Sequence, residues 1–286
     1  MIGLGLAALS ALLEEAADSI GKYRIAHRTL NIYAFGFLLN LGGLLTIAAF
    51  GLFVPTDFFA SGFPGGFVFS AASLPTLSLR IALELLQVYV TVHAIARADR
   101  GTFGFLRTLT LPLLLAVDIA LGYDVTGWQM AGVATIVGSL LLLFLNHGLS
   151  KPGSLFTLVA AVNAVATLSL FKYDVTYFNS VEMEQVIVST ATTVFLLGLA
   201  LAARQNPIAL LKQPIYLLQI LLSGGAATFM SFAYLFAPAS VITAGRRSLA
   251  VLWAVTSGKL YFRETHIVLK LICFALVCAG VIMLAL

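Results

Sequence analysis

The sequence predicts an all-α, polytopic membrane protein: ten transmembrane helices, as two inverted five-helix repeats. Three observations carry this prediction. The 286 residues are 60% hydrophobic and only 10% charged, with a mean hydropathy of +1.03, which excludes an ordinary soluble domain. The apolar residues fall into ten runs, each near the roughly 20 residues that a helix needs to cross the hydrocarbon. The chain also repeats its own pattern. Arg107 superposes on Arg247 at an offset of 140 residues, and Leu109, Asp124 and Val137 then fall on Leu249, Glu264 and Val277. Upstream, Lys22-Tyr23 matches Lys172-Tyr173 at an offset of 150 residues. The pattern gives two units, 1–150 and 151–286, divided at the turn 151–154.

In order, the runs are 4–22, 30–52, 74–96, 102–122, 127–146, 153–172, 181–203, 213–235, 239–260 and 265–285. Backbone N–H and C=O groups in hydrocarbon must be satisfied within the segment, so each run is a helix and not an open strand. The first lacks a basic leader and runs straight into acids, and it is expected to be retained as a helix. Turn residues such as Lys151-Pro152-Gly153 and Asn206-Pro207 fill most connections. The outlier is 55–73, rich in Phe and Gly, which is too apolar for a solvated linker and too broken for a span. An interfacial or re-entrant hairpin is expected there.

Charge placement predicts orientation. One set of alternate loops and helix ends carries Lys22, Arg24, Arg28, Arg97, Arg100, Arg107, Lys151, Arg204, Lys212, Lys259, Arg263 and Lys270. The other carries Arg80, Lys172, Arg246 and Arg247. The excess of Lys and Arg marks the cytoplasmic side, so both termini are expected to face outward. In such a chain a sequence pI near 9.1 reports orientation and is no sign of nucleic acid. His27, His93, His147 and His266 fall on the same side, at helix ends that suit solvated positions. Cys273 and Cys278 share the last run, and their number and spacing fit buried thiols better than a metal site or a disulfide.

Ionisable residues inside a span are functional candidates, because water is not there to solvate them. The first helix has Glu14, Glu15 and Asp18. Glu14, Asp18 and Lys22 form one stripe at i, i+4, i+8, with Glu14 near the middle of the span. An acid at that depth fits proton coupling through Glu14, Glu15 and Asp18; the plainer reading pairs Asp18 with Lys22. Arg80 and Glu84 form an i, i+4 pair, either self-neutralising or substrate-binding. Asp118 is expected near the outer end of its helix, where a charge costs little. Arg246 and Arg247 lie roughly 10 Å into the ninth run and point about 100° apart, so at least one faces the bundle. Asn163 and Tyr234 are polar candidates for a cavity lining, with Thr167, Ser169, Ser223, Gly224, Gly225, Thr228 and Ser231 as further lining or as helix-packing contacts.

A basic residue early in the ninth helix, an acid at its far end (Glu264) and a small-residue last helix (Ala279, Gly280) together resemble the drug/metabolite transporter superfamily, EamA-like branch. The resemblance covers the whole chain in layout, through loose motifs. It implies ten helices as two inverted repeats, and both termini inside, opposite to the local charge count. The family's glycine early in the last helix of each repeat is present as Gly132 but is Ile272 in the second half. Arg246-Arg247 is similar to the Lys-Arg pair that phosphate-sugar transporters of this superfamily use in their ninth helix, which would make Arg107 a pseudo-symmetric third cation.

The expected function is a secondary transporter moving a small polar or zwitterionic metabolite across the lipid bilayer by alternating access. The expected location is the cytoplasmic membrane of a bacterium or archaeon. Glu14, Arg246, Arg247, Arg107, Glu84, Asn163 and Tyr234 are the expected substrate contacts. A rival is an anion or phosphate-ester exchanger using Arg107, Arg246 and Arg247; another, of a different class, is a membrane scaffold or lipid-handling protein. No nucleotide-binding loop, metal-ligand spacing or catalytic triad is present in the sequence, so an enzyme, a cofactor, a metal and a nucleic-acid partner are not expected. The protein is expected as a monomer or homodimer.

Overall fold

The computed structural model describes residues 2–53, 66–120, 126–146, 151–236, 239–262 and 266–285. The described residues are helical, with no strand among them. Helices stand at all ten predicted runs: α1 (Ile2–Ala26), α2 (Ile32–Phe53), α3 (Leu74–Arg97), α4 (Arg100–Arg107), α5 (Thr110–Ala120), α6 (Gly127–Leu145), α7 (Ser154–Tyr177), α8 (Val181–Ala202), the single turn α9 (Pro207–Leu210), α10 (Pro214–Ala233), α11 (Ala239–Phe262) and α12 (Ile267–Ala285). Five are long and apolar enough to cross a membrane: α2, 71–97, α7, α8 and α10. Shorter apolar stretches lie in α6 and α12. Charges lower the hydropathy of α1 and α11, although each is longer than α2, α8 and α10.

The fourth run departs from the expected continuous helix. Pro112 offers no N–H to the carbonyl of Thr108 and its ring crowds that carbonyl, so a straight helix cannot pass. Leu111 N–H donates to the Thr108 carbonyl at 2.9 Å instead, and the Thr108 hydroxyl turns back to Phe105 O at 2.7 Å. The result is two helices, α4 and α5.

Contacts sort the helix ends onto two ends of the bundle. At the basic end, Asn31 N–H meets Gln205 Oε1 at 2.6 Å, Arg97 lies over Phe156, and Gly153 closes on Ala98. Gly153 has φ 75°, and a Cβ there would come within 2.5 Å of Ala98 N, so both backbone and space require glycine. At the opposite end, 66–70 runs against the α7–α8 turn: Val68 N–H donates to Ser180 Oγ (3.1 Å), Ser180 N–H to Val68 O (3.0 Å), and Ser70 N–H to Asn179 Oδ1 (3.0 Å). This is the described part of the predicted hairpin; 54–65 lies outside the described residues, as do Asp124, His147, Arg263, Glu264 and the side chain of Asp118.

In the packing, α1 lies on α10 and α11, while α7 lies on α3 and α4; α2 packs on α8, and α6 on α12. Glycines set the closest approaches. A Cβ on Gly224 would come within 2.5 Å of Gly42 O, and a Cβ on Gly280 within 2.7 Å of Gly132 O. Gly280 thus supplies the small surface against Gly132, whereas Ile272 faces outward. Thr228 Oγ1 donates to Thr46 Oγ1 at 2.9 Å beside the Gly42–Gly224 crossing, so Gly224 and Thr228 act as packing contacts. Lys22 does not pair with Asp18. It donates to the carbonyl of Ala98, the C-cap residue of α3, and Lys172 likewise donates to the carbonyl of Tyr234, the C-cap residue of α10, at 2.7 Å.

The crossing of α2 and α10 gives a direct test. Gly224→Val should cost about 1–3 kcal/mol through overpacking and lower the melting temperature of the detergent-purified protein. Gly198→Ala, where a Cβ meets nothing within 4 Å, should leave it unchanged or slightly raised. Equal melting of the two variants would mean that α2 and α10 do not cross at these glycines.

Candidate functional site

The acids of α1 face the interior and meet arginines from α4 and α11. Glu14 is bridged by two guanidiniums: Arg107 Nη1 donates to Oε1 at 3.3 Å, and Arg246 Nη2 donates to Oε2. One turn nearer the basic end, Arg100 holds the next pair. Its Nε and Nη2 reach the two oxygens of Glu15 at 2.9 and 2.5 Å, and Nη2 reaches Asp18 Oδ2 at 3.3 Å. Ser257 of α11 donates to Glu15 Oε1 at 2.6 Å, and Ser19 donates to the same oxygen at 3.1 Å. The Arg100–Glu15 pair is a two-point fork, the geometry that suits guanidinium to carboxylate. Arg100 and Arg107 both lie over the Phe103 ring, at 5.3 and 4.8 Å.

Arg247 is also buried, at 3% exposure. It sits beside Glu14, Arg107 and Arg100 in a narrow cleft, with no carboxylate within 4.0 Å among the described residues. The cluster therefore holds three carboxylates, Glu14, Glu15 and Asp18, against four guanidiniums, Arg100, Arg107, Arg246 and Arg247.

Glu14, Asp18 and Arg246 open on a cavity of about 250 Å³ enclosed by α1, α2, α3, α8, α10 and α11. Glu84 lines it from α3, and Asn40, Thr91, Gln185, Thr192 and Ser223 add neutral polar groups. Several of these are engaged: Thr192 donates to Asn40 Oδ1 (3.0 Å), Gln185 to Ser231 Oγ (3.0 Å), and Gln87 to Thr91 Oγ1 (3.2 Å).

A second buried network closes the far end. The i, i+4 pair of Arg80 and Glu84 is present at 4.0 Å, but the nearer partner of Arg80 is Glu184 of α8, at 2.7 Å. The other Glu184 oxygen accepts from Asn179 Nδ2 (2.6 Å), which also bonds Ser73 Oγ, and Thr76 donates to Asp174 at 2.6 Å. Glu184, Asp174 and the strap 66–73 are thereby one unit.

Of the predicted substrate-contact and proton-coupling residues, the structure gathers Glu14, Asp18, Glu84 and Arg246 on one cavity, with Glu15, Arg107 and Arg247 behind it. Two stand elsewhere. Asn163 ties α7 to α3 by donating to Leu83 O and Gln87 Oε1 at 2.9 and 2.8 Å. Tyr234 meets Thr243 Oγ1 at 3.1 Å in the α10–α11 junction. His93, expected in a solvated position, is 4% exposed and stacked on Phe156. Arg100 and Glu184 escaped the sequence reading: each lies in the first turn of its helix, where a charge ordinarily reads as a solvated end. Among the described residues no cluster of His, Cys, Asp and Glu has the arrangement of a metal site. No protein-family model matches the sequence, and no curated protein matches it.

Removing one member of a buried ion cluster leaves the others uncompensated, at about 3–5 kcal/mol. Arg100→Met alone should therefore lower thermal stability sharply, and adding Glu15→Leu with Asp18→Leu should recover most of the loss. A single variant that melts like the unmodified protein would mean that Arg100 does not neutralise α1.

Proposed function

We propose that this protein is a secondary membrane transporter that moves a small polar or zwitterionic solute by alternating access. The observation that carries the reading is the cavity of about 250 Å³, lined by charges of both signs drawn from both halves of the chain. Its volume is just below the usual range for small-molecule sites, about 300–1,000 Å³, and suits a compact metabolite. Ionisable side chains turned inward to a cavity, and away from lipid, mark a solute pathway and weigh against a scaffold or lipid-handling role.

The architecture we propose for this activity is two five-helix repeats of opposite orientation, 1–150 and 151–286, like that of the drug/metabolite transporter superfamily. Exchange of the halves supports it: α1 on α10 corresponds to α7 on α3, and α2–α8 and α6–α12 map onto themselves. Lys22 on the α3 C-cap corresponds to Lys172 on the α10 C-cap. Two such repeats can rock about a site held between them.

We also propose that both termini lie outside. Arg100, Arg107 and Lys270 are interior and leave the count on the basic end, but Arg80, Arg246 and Arg247 leave it on the other, so the bias persists. Proton coupling through Glu14, Glu15 and Asp18 belongs to the same proposal. The rival anion exchanger is favoured by one observation, the excess of guanidiniums over carboxylates around Glu14 and Arg247.

Two measurements test this reading. In proteoliposomes loaded with a metabolite extract, entry of labelled solutes should be driven by exchange, and Glu14→Gln should reduce it at least tenfold. Transport limited to phosphate esters, and unaffected by Glu14→Gln, would favour the anion exchanger. For orientation, single cysteines at the exposed positions Arg204 and Tyr177, in a variant lacking Cys273 and Cys278, should differ on intact cells. Tyr177→Cys should react with an impermeant thiol reagent and Arg204→Cys should not; the reverse pattern would place the termini inside.

A further inference from the structure

The charges around the cavity are unevenly placed. On the α1–α11 side, three carboxylates, Glu14, Glu15 and Asp18, stand among four guanidiniums, those of Arg100, Arg107, Arg246 and Arg247. On the α3 side, one guanidinium, Arg80, faces three carboxylates, those of Glu84, Glu184 and Asp174. Arg80 is committed to Glu184 at 2.7 Å and to Gln185 Oε1 at 3.4 Å. That leaves Glu84 with a cation only at 4.0 Å, the hydroxyl of Thr167 as a polar neighbour, and a side chain 20% exposed. The other acids on the cavity, Glu14 and Asp18, each have a guanidinium within 3.3 Å. Glu84 is thus the lining carboxylate whose counter-charge is weakest. Among the neutral groups between the two sides, Thr192 donates to Asn40, Gln185 to Ser231, Ser223 to the Ile220 carbonyl, and Thr91 accepts from Gln87, so the charged ends dominate recognition.

We infer that Glu84 is the ammonium-binding residue of the cavity, and that the cavity takes a small zwitterion with its anionic group toward Arg246 and its ammonium toward Glu84. This rests on the transport reading above and narrows it to one chemical class. A ligand of that kind is neutral overall, so it compensates both sides of the cavity without adding net charge to a site away from water. Its carboxylate shares Arg246 with Glu14, and its ammonium supplies what Arg80 withholds from Glu84. A ligand with one charge compensates one side and leaves the other as it was. Glu84 then determines specificity, because a buried charged group left unpaired discriminates strongly against the analogue that lacks its partner.

The test uses thermal stabilisation of the full-length, detergent-purified protein by three matched probe sets. These are L-amino acids with uncharged side chains, the amines that lack their carboxylates, and the carboxylic acids that lack their amines. Members of the first set should stabilise the protein, and the matched amines and acids should bind at least tenfold more weakly. Glu84→Gln should weaken the amino acids at least tenfold and leave the acids within about twofold, and Glu84→Asp should restore part of the difference. The inference is overturned if amines or acids bind as well as amino acids, if none of the three sets binds, or if Glu84→Gln leaves the preference intact. The unmodified protein alone decides the ligand class should Glu84→Gln fail to fold. Exchange of a solute without an ammonium group in the proteoliposomes would also overturn the inference while leaving the transport reading standing.

Discussion

A carboxylate removed from water needs a compensating charge close by, because desolvation of an unpaired ion costs several kcal/mol. In this protein that requirement falls on α1. Its three acids lie along one helix, and the cations that answer them come from α4 and α11. The position of α1 between α10 and α11, the approach of α4 to α11, and the inward turn of Ser257 all serve the same neutralisation. Hydrophobic packing surrounds this arrangement and does not specify it, since lipid tails are as apolar as the side chains. What brings the helices of such a bundle to one register is close contact at small residues, and here Gly42–Gly224 and Gly132–Gly280 provide it.

The two ends of the bundle are closed by different means. The basic end is held by the Arg100 fork and by Lys22 on the last carbonyl of α3. The opposite end is held by a backbone strap, 66–70, laid along the α7–α8 turn, with Arg80 and Glu184 beneath it. Both closures include groups adjacent to the cavity: Asp18 lines it and accepts from Arg100, while Glu84 lines it and lies next to Arg80. Any change in the charge at Asp18 or Glu84 therefore bears directly on the ion pairs at either end.

Helix positions were legible in the sequence because length and hydropathy alone determine them. The break at Thr108–Leu109 was legible in principle from Pro112, but an apolar run that continues on both sides masked it. The inward acids were legible for the same reason that they are costly: Glu14, Glu15 and Asp18 have no cheap position in a span. Their partners were not. Arg100 is a charge at a helix start, and nothing in ADRGTFGFLR separates a solvated end from a buried one. Glu184 is hidden in the same way, since an acid in a first turn already satisfies the helix dipole. Arg80 illustrates the limit of local spacing: the i, i+4 rule offers Glu84, while tertiary packing supplies a better acid 104 residues away. Lys22 left its expected partner Asp18 for a free carbonyl at a helix end, a site that sequence spacing does not mark.

The Glu14 bridge has a consequence for synthesis. The ribosome delivers α1 before α4 and α11: 82 residues separate Asp18 from Arg100, and 232 separate Glu14 from Arg246. Until α4 emerges, α1 carries three acids without the arginines that hold them in the finished fold. Arg100 and Arg107 arrive with the first half and supply two positive charges against three negative ones. Arg246 and Arg247 come only with α11, so the charge count around α1 is completed late. Truncation after the first half therefore leaves three acids of α1 against two arginines, a balance that Arg246 and Arg247 of α11 reverse.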